Sequence, residues 1–348
     1  MPEPPMRAAL LRFYDERARD LPWRRTRDPY AIWVSEIMLQ QTRVDTVLGY
    51  YDRFLSRFPT AGELARASED EVMAAWSGLG YYRRARLLHA GVREVVERYG
   101  GQVPEEAEAR RALPGIGRYT AGAIGSIAFD RAEPIVDGNV ARVLCRIHGI
   151  DQPPERSAVQ KRLWAEAERL VQGPRPGELN QALMELGATV CTKASPDCGR
   201  CPVRAHCQAH AQGRQAELPR PRTRKAPKPV ALVALLATRG RGAGAQLVLT
   251  RGEGSLFGGL WNLPMAEGRG RRVARALQEQ SGLAGTLALR AAGELEHVLS
   301  HRRMQVQLWR ITGARPSAAG SLAPHPIATV GELGVSRLTT KALEQLGL

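Results

Sequence analysis

The sequence predicts a multidomain fold: an all-α region first, then a basic linker, then an α+β domain. Three observations predict it. Apolar residues recur at helical spacing from Pro5 to near Gly187. The stretch Arg220-Pro221-Arg222-Thr223-Arg224-Lys225-Ala226-Pro227-Lys228-Pro229 has no apolar period, as expected of an extended, solvated linker. From Val230 onward the pattern is that of strands separated by Gly-rich turns. The boundaries that follow are 1–210 for the helical region, 211–229 for the linker and 230–348 for the α+β domain. A chain of 348 residues is long enough for about two separate cores.

Composition narrows the partner. A formal net charge of +15 and a pI near 10.3 favour a polyanion, nucleic acid before an anionic membrane surface. Met1-Pro2-Glu3-Pro4-Pro5 lacks the basic and apolar regions of a signal peptide. No apolar run approaches the length of a membrane span. Four of the five cysteines are clustered, which points to metal ligation in a reducing cytoplasm and away from disulfides.

In chain order, a first helix is expected over Arg7–Arg19, followed by the basic loop Leu21-Pro22-Trp23-Arg24-Arg25-Thr26-Arg27-Asp28-Pro29. One or two helices follow from Tyr30 to Phe58, started by Pro29. In the first of these, Ile32 and Trp33 lie one turn behind Glu36, and Leu39 and Gln40 one turn ahead. Burying a carboxylate on an apolar stripe is costly, and desolvation raises its pKa toward that of a proton donor at neutral pH. A helix-edge glutamate paired with an arginine fits the same pattern.

Short helices over 59–99 are broken at Ser77-Gly78-Leu79-Gly80-Tyr81-Tyr82-Arg83-Arg84-Ala85-Arg86, where tyrosines beside arginines suit stacking on bases and contact with phosphates. They equally suit a helix start with its tyrosines in the core. Leu113-Pro114-Gly115-Ile116-Gly117 follows: Pro114 ends the preceding helix, and Gly115 and Gly117 permit positive φ. Such a hairpin, opening a helix at Arg118, offers free N–H groups to an anion, or is simply a helix corner. Val136-Asp137-Gly138-Asn139-Val140 then places Asp137 where an N-cap belongs. A capped aspartate stays ionised and fixed in place.

Cys191, Cys198, Cys201 and Cys207 form C-x6-C-x2-C-x5-C. Zinc prefers paired C-x2-C knuckles, so this compact series fits a [4Fe–4S] cluster better, with zinc the alternative. Cys145 falls on an apolar helix face. In the C-terminal domain the strands Leu232–Thr238 and Gln246–Thr250 form a hairpin, 258–264 is a loop, and Arg271–Gln280 is a helix. A second hairpin joins Leu289–Ser300 to Met304–Ile311, and a last helix covers Leu338–Leu346.

Four elements in this order give the chain its resemblance: Val34-Ser35-Glu36-Ile37-Met38-Leu39-Gln40-Gln41-Thr42, the Leu113–Gly117 hairpin, the Asp137 segment and the cysteine series. Together they resemble the MutY family of adenine DNA glycosylases, in the helix–hairpin–helix superfamily, over nearly the full length. The resemblance implies a six-helix barrel over about 24–130. An iron–sulfur helical domain, made of the N-terminal helix and about 131–210, would carry one [4Fe–4S] cluster, and a Nudix-like domain would follow. It implies hydrolysis of the N-glycosidic bond of adenine opposite 8-oxoguanine or guanine in double-stranded DNA, leaving an abasic site. Glu36 would protonate adenine at N7, Asp137 would face the sugar cation, and Asn139 would support Asp137. Trp23, Arg24 and Gln181 match positions lining the adenine pocket, and Gln41 and Tyr81 match positions that enter the duplex.

Endonuclease-III-type relatives have a lysine where this chain has Tyr119. A phenol forms no imine, so base release without strand cleavage is expected. The Nudix-like helix has one acid, Glu279, too few for Mg²⁺-dependent nucleotide hydrolysis. Where the family has Phe-Ser-His at the lesion-reading tip, this chain has Leu299-Ser300-His301. The expected protein is thus a monomeric, cytoplasmic, nucleoid-associated bacterial repair enzyme. An endonuclease-III-like glycosylase/lyase, and a non-catalytic iron–sulfur protein that binds damaged DNA, are the alternatives.

Overall fold

The computed structural model describes residues 3–221, 226–240, 242–252, 257–299, 301–317 and 322–348. It divides into two units, Met1–Arg66 with Leu87–Thr223, and Ala67–Arg86 with Arg224–Leu348. The turn that carries Tyr81 thus belongs with the sheet domain.

In the first unit, α1 (Glu3–Arg17) is followed by a short 3-10 turn, Pro22–Arg24, and by α2 (Pro29–Leu39), α3 (Val44–Arg57) and α4 (Ala61–Arg66). Helix α2 starts where the sequence requires. Pro29 occupies its first turn, and the Asp28 carboxylate accepts from the N–H groups of Tyr30 and Ala31 at 3.0 and 3.3 Å. Every residue from Tyr30 to Met38 is buried, so α2 is a core helix with no solvent face. Any charge it carries is desolvated. Next come α5 (Glu69–Ala75) and the first turn of α6 (Arg83–Tyr99), both in the second unit, and then α7 (Ala107–Ala112).

Leu113 leaves the helical region at φ −68°, ψ 141°, because the ring of Pro114 excludes αR there. Gly115 sits at φ +78°, and a Cβ on it would lie 2.8 Å from Leu87 Cβ, so both its conformation and its packing demand glycine. Gly117 corrects the sequence expectation. It is extended, at φ −88° and ψ 179°, and caps α8 (Arg118–Phe129); only one of the two glycines makes the left-handed turn.

The remaining helices are α9 (Gly138–Ile147), α10 (Ser157–Val171), α11 (Pro176–Thr189) and α12 (Gln208–Ala211). Leu10 and Phe13 of α1 pack with Val140 and Leu144 of α9, Leu163 of α10, and Leu179, Leu183 and Leu186 of α11. Each such side chain contributes about 1.5–3 kcal/mol by burial.

The second unit centres on β1 (Lys228–Arg239), which begins four residues earlier than the strand expected from Leu232. It pairs antiparallel with β2 (Gln246–Arg251) and parallel with the long β7 (Arg302–Pro316). The expected loop at 258–264 contains β3 (Trp261–Asn262), with β4 (Met265–Glu267) after it, and α13 (Gly270–Gln280) follows. Then come β5 (Leu283–Leu287) and β6 (Gly293–Val298), and after β7 come β8 (Leu322–Pro326) and α14 (Arg337–Leu346). The sheet runs β3-β2-β1-β7-β5, with β4, β6 and β8 pairing β1, β7 and β2. Alternate residues of β1 face opposite ways. Leu232, Ala234 and Leu236 pack toward Leu338 and Ala342 of α14, and Val233, Leu235 and Ala237 toward Ala274 and Leu277 of α13. Covered on both faces, β1 reads as an unbroken apolar run.

Candidate active site

Glu36 is 4% exposed. Its carboxylate accepts a hydrogen bond from the Tyr119 hydroxyl at 2.7 Å. Burial pushes its pKa from the ordinary 4.5 up to about 7, against the Tyr119 bond and the Arg24 charge, which favour the carboxylate, and with help from the negative Asp137. Desolvation predominates. Tyr119, on the first turn of α8, is itself held neutral, with a pKa far above that of a free phenol because of burial and the neighbouring acids. Its hydroxyl also lies 3.4 Å from Met184 Sδ on α11. The sequence alone left Glu36 between a buried acid and a helix-edge residue paired with an arginine. It is the buried acid, and its hydrogen-bond donor is a phenol.

Asp137 caps α9. One carboxylate oxygen accepts from Val140 N–H at 2.7 Å and the other from the Asn139 side chain at 3.1 Å. The cap expected from the sequence is present, and the Asp137 pKa is raised from its ordinary value: burial outweighs the bonds from Val140 and Asn139 and the charge of Arg142. Asp137 is fixed by its donors but is not made more acidic than usual.

Arg142, one turn further along α9, went unnoticed in the sequence because an arginine on a basic chain carries no signal. It donates to Asn139 Oδ1 at 2.9 Å, to the carbonyl of Gly187 at 2.7 Å and to that of Cys191 at 2.8 Å. Asn139 is thereby oriented with its amide toward Asp137. A Cβ on Gly187 would lie 2.7 Å from Asn139 Cβ, so glycine is what allows α11 to approach this closely.

Trp23 is buried and packs edge-on against Tyr51, ring centroids 5.4 Å apart. Gln181 is buried on α11. Arg24 is held by Glu185, a residue that the sequence reading passed over although it is fully buried. Gln41 is exposed, at φ +58°. In the other unit, Tyr81 is 55% exposed with φ +49°, and the Arg84 guanidinium stacks 5.3 Å from its ring centroid. His301 is exposed; Ser300 lies outside the described residues.

Cys191, Cys198, Cys201 and Cys207 line one pocket with Arg146, Arg204 and His210. None forms a disulfide. Arg146, also unnoticed in the sequence, is 2% exposed and donates to the carbonyls of Thr192 at 2.6 Å and Leu218 at 2.8 Å, and to Cys191 Sγ at 3.3 Å. Burial pushes the Cys201 thiol up to about 11 and raises Cys198 and Cys207 as well. Four thiols around one pocket suit a multi-iron centre with one cysteine per iron. Cys145 is buried in the helical core, as expected. In the sheet domain, Glu279 of α13 pairs with Arg275 at 3.2 Å and is the helix's one acid.

The profile for HhH-GPD superfamily base excision DNA repair proteins matches residues 34–169. The chain is 40% identical to an adenine DNA glycosylase of Rattus norvegicus, covering 91% of this chain and 72% of that protein. It is 37% identical to one of Buchnera aphidicola, covering 60% of each. Among solved structures, a thermostable thymine-DNA glycosylase is 31% identical with a TM-score of 0.54, over 60% of this chain and 95% of that one. A trapped endonuclease III–DNA covalent intermediate has a TM-score of 0.50 at 21% identity, over 61% and 99%, a likeness of fold.

Proposed function

Because the chain belongs to the adenine DNA glycosylases, enzymes of base excision repair, we propose that Glu36 and Asp137 carry out its chemistry. The observation that carries this reading is Glu36: buried, hydrogen-bonded to a neutral phenol and poised at about 7. Adenine leaves readily only when protonated, and the C1′–N9 bond breaks toward an oxocarbenium-like sugar. Glu36 supplies the proton, at N7 of an adenine flipped out of the duplex. Asp137, held by Val140 N–H and Asn139, faces the developing sugar cation as an anion until water adds. Tyr119 orients the Glu36 carboxyl and, being a phenol, forms no imine, so the product is an abasic site in an unbroken strand.

The substrate in this reading is adenine opposite 8-oxoguanine or guanine in double-stranded DNA. Trp23, Arg24 and Gln181 bound the adenine pocket, and Gly115 and Gly117 form the hairpin that meets phosphate. Gln41 and Tyr81 enter the stack, and the Ser300-His301 tip reads the lesion. Cys191, Cys198, Cys201 and Cys207 hold one [4Fe–4S] cluster, which when bound supplies a covalent brace across the loop. Four undisulfided thiols on one pocket support this.

The test is incubation with a duplex holding A opposite 8-oxoguanine, with and without alkali. Wild-type protein is expected to give strand breaks only after alkali, and Glu36→Gln to give none. Breaks without alkali, together with borohydride trapping at the level of a true lyase, would overturn the monofunctional reading. Normal release by Glu36→Gln would overturn the acid assignment.

A further inference from the structure

Glu185 is fully buried on α11, and five donors from two arginines close around its neighbourhood. Arg19 donates to it from Nε at 2.8 Å, from Nη2 at 3.0 Å and from its backbone N–H at 3.1 Å. Arg24 Nη2 donates to it at 2.8 Å, and Arg24 Nη1 to the carbonyl of Arg19 at 3.0 Å. The Arg24 guanidinium also lies 5.4 Å from the Tyr14 ring centroid. A buried carboxylate costs several kcal/mol to desolvate, and stability alone rarely demands one. This one sits next in sequence to Met184, whose sulfur touches the Tyr119 hydroxyl.

We propose that Glu185 is a positioning residue of the excision reaction: it clamps the Arg24 guanidinium in one place and offsets part of its charge beside Glu36. The proposal rests on the reading of Glu36 as the acid. The groups that act on Glu36 are Tyr119 from α8, Asp137 at the start of α9 and Arg24 from the Pro22–Arg24 turn; α3, also packed against α2, contributes none among the described residues. Arg24 alone is a cation, and an uncancelled cation there favours the carboxylate over the acid. With Glu185 in place, Arg24 presents a donor of fixed geometry whose charge is partly offset. Glu185 itself remains ionised: burial pushes its pKa up, but Arg19 and Arg24 hold it below the usual carboxylate range.

The experiment is single-turnover release of adenine from a duplex with A opposite 8-oxoguanine, from about pH 5 to about pH 9, for wild type, Glu185→Gln and Glu185→Asp. Wild type is expected to lose rate above about 7, where Glu36 ionises. In Glu185→Gln the fall comes about one pH unit earlier, a loss of about tenfold at alkaline pH, with the two rates converging at the acid end. Glu185→Asp keeps the charge and restores the wild-type midpoint whatever its absolute rate. If Glu185→Gln loses rate equally at every pH with its midpoint unmoved, Glu185 is merely structural and the proposal fails alone. If wild type shows no alkaline fall, the acid assignment fails and takes the proposal with it. Should Glu185→Gln not fold, Arg19→Leu carries the test: Glu185 is then left to Arg24, and a midpoint moved downward overturns the clamp.

Discussion

Glu36→Gln separates the site's chemistry from its cost to the fold. The folded state keeps the Glu36 proton up to about 7, where the ordinary value is 4.5. Folding therefore favours the protonated form. The stability linked to that proton is fully present below about pH 4.5, falls as pH rises, and is lost above about 7. At about 1.36 kcal/mol per pH unit, the difference amounts to about 3 kcal/mol at alkaline pH. Local relaxation around the buried carboxylate makes this an upper value. Glutamine keeps the shape and an oxygen to accept the Tyr119 hydroxyl, but never ionises. Thermal melts of both proteins across the same pH range are the assay. Near pH 4.5 the two are expected to melt together. At about pH 8 the glutamine variant is expected to melt several degrees higher, since a domain of this size gains about 2–4 °C per kcal/mol, while releasing no adenine. A stability gap that does not widen with pH would refute the reasoning, because Glu36 would then be ionised and accommodated in the native protein.

Tyr119→Phe removes the 2.7 Å bond that favours the Glu36 carboxylate. The alkaline fall of the excision rate is expected to move up by about 1 to 2 pH units; a fall that stays in place or moves down counts against the bond. Asp137→Asn keeps an oxygen to cap α9, whereas Asp137→Ala does not. Both are expected to lose excision, and only the alanine variant to lose a further ~1 kcal/mol of stability in a denaturant titration. Gly187→Ala drives a methyl to 2.7 Å from Asn139 and is expected to slow excision without weakening DNA affinity in a gel-shift titration. Cys198→Ser is expected to lose the visible absorbance of an iron–sulfur centre, read on freshly purified protein.

Much of the molecule was written locally. Pro29 and Asp28 start α2, Pro114 ends α7 and Gly115 makes the hairpin turn because backbone sterics and capping act over a few residues. The two-sided burial of β1 was legible as an apolar run, though β3, β4, β5 and β8 were too short or too irregular to register. The candidate acids could be named from motifs, but their states could not. Capping could be read for Asp137, but not the burial that raises its pKa. Arg142, Arg146 and Glu185 gave no signal at all.

The sequence by itself determined where the long helices and the longer strands fall, which segments bend and which cysteines share a loop, since each rests on neighbours along the chain. Only the tertiary structure decided that burial pushes the Glu36 pKa up to about 7, that a phenol donates to its carboxylate, and that two arginines share one buried glutamate. The reason is physical. The energy of a charge depends on how much water it loses and which charges stand nearby. For these residues both are set by helices that lie far apart in the chain.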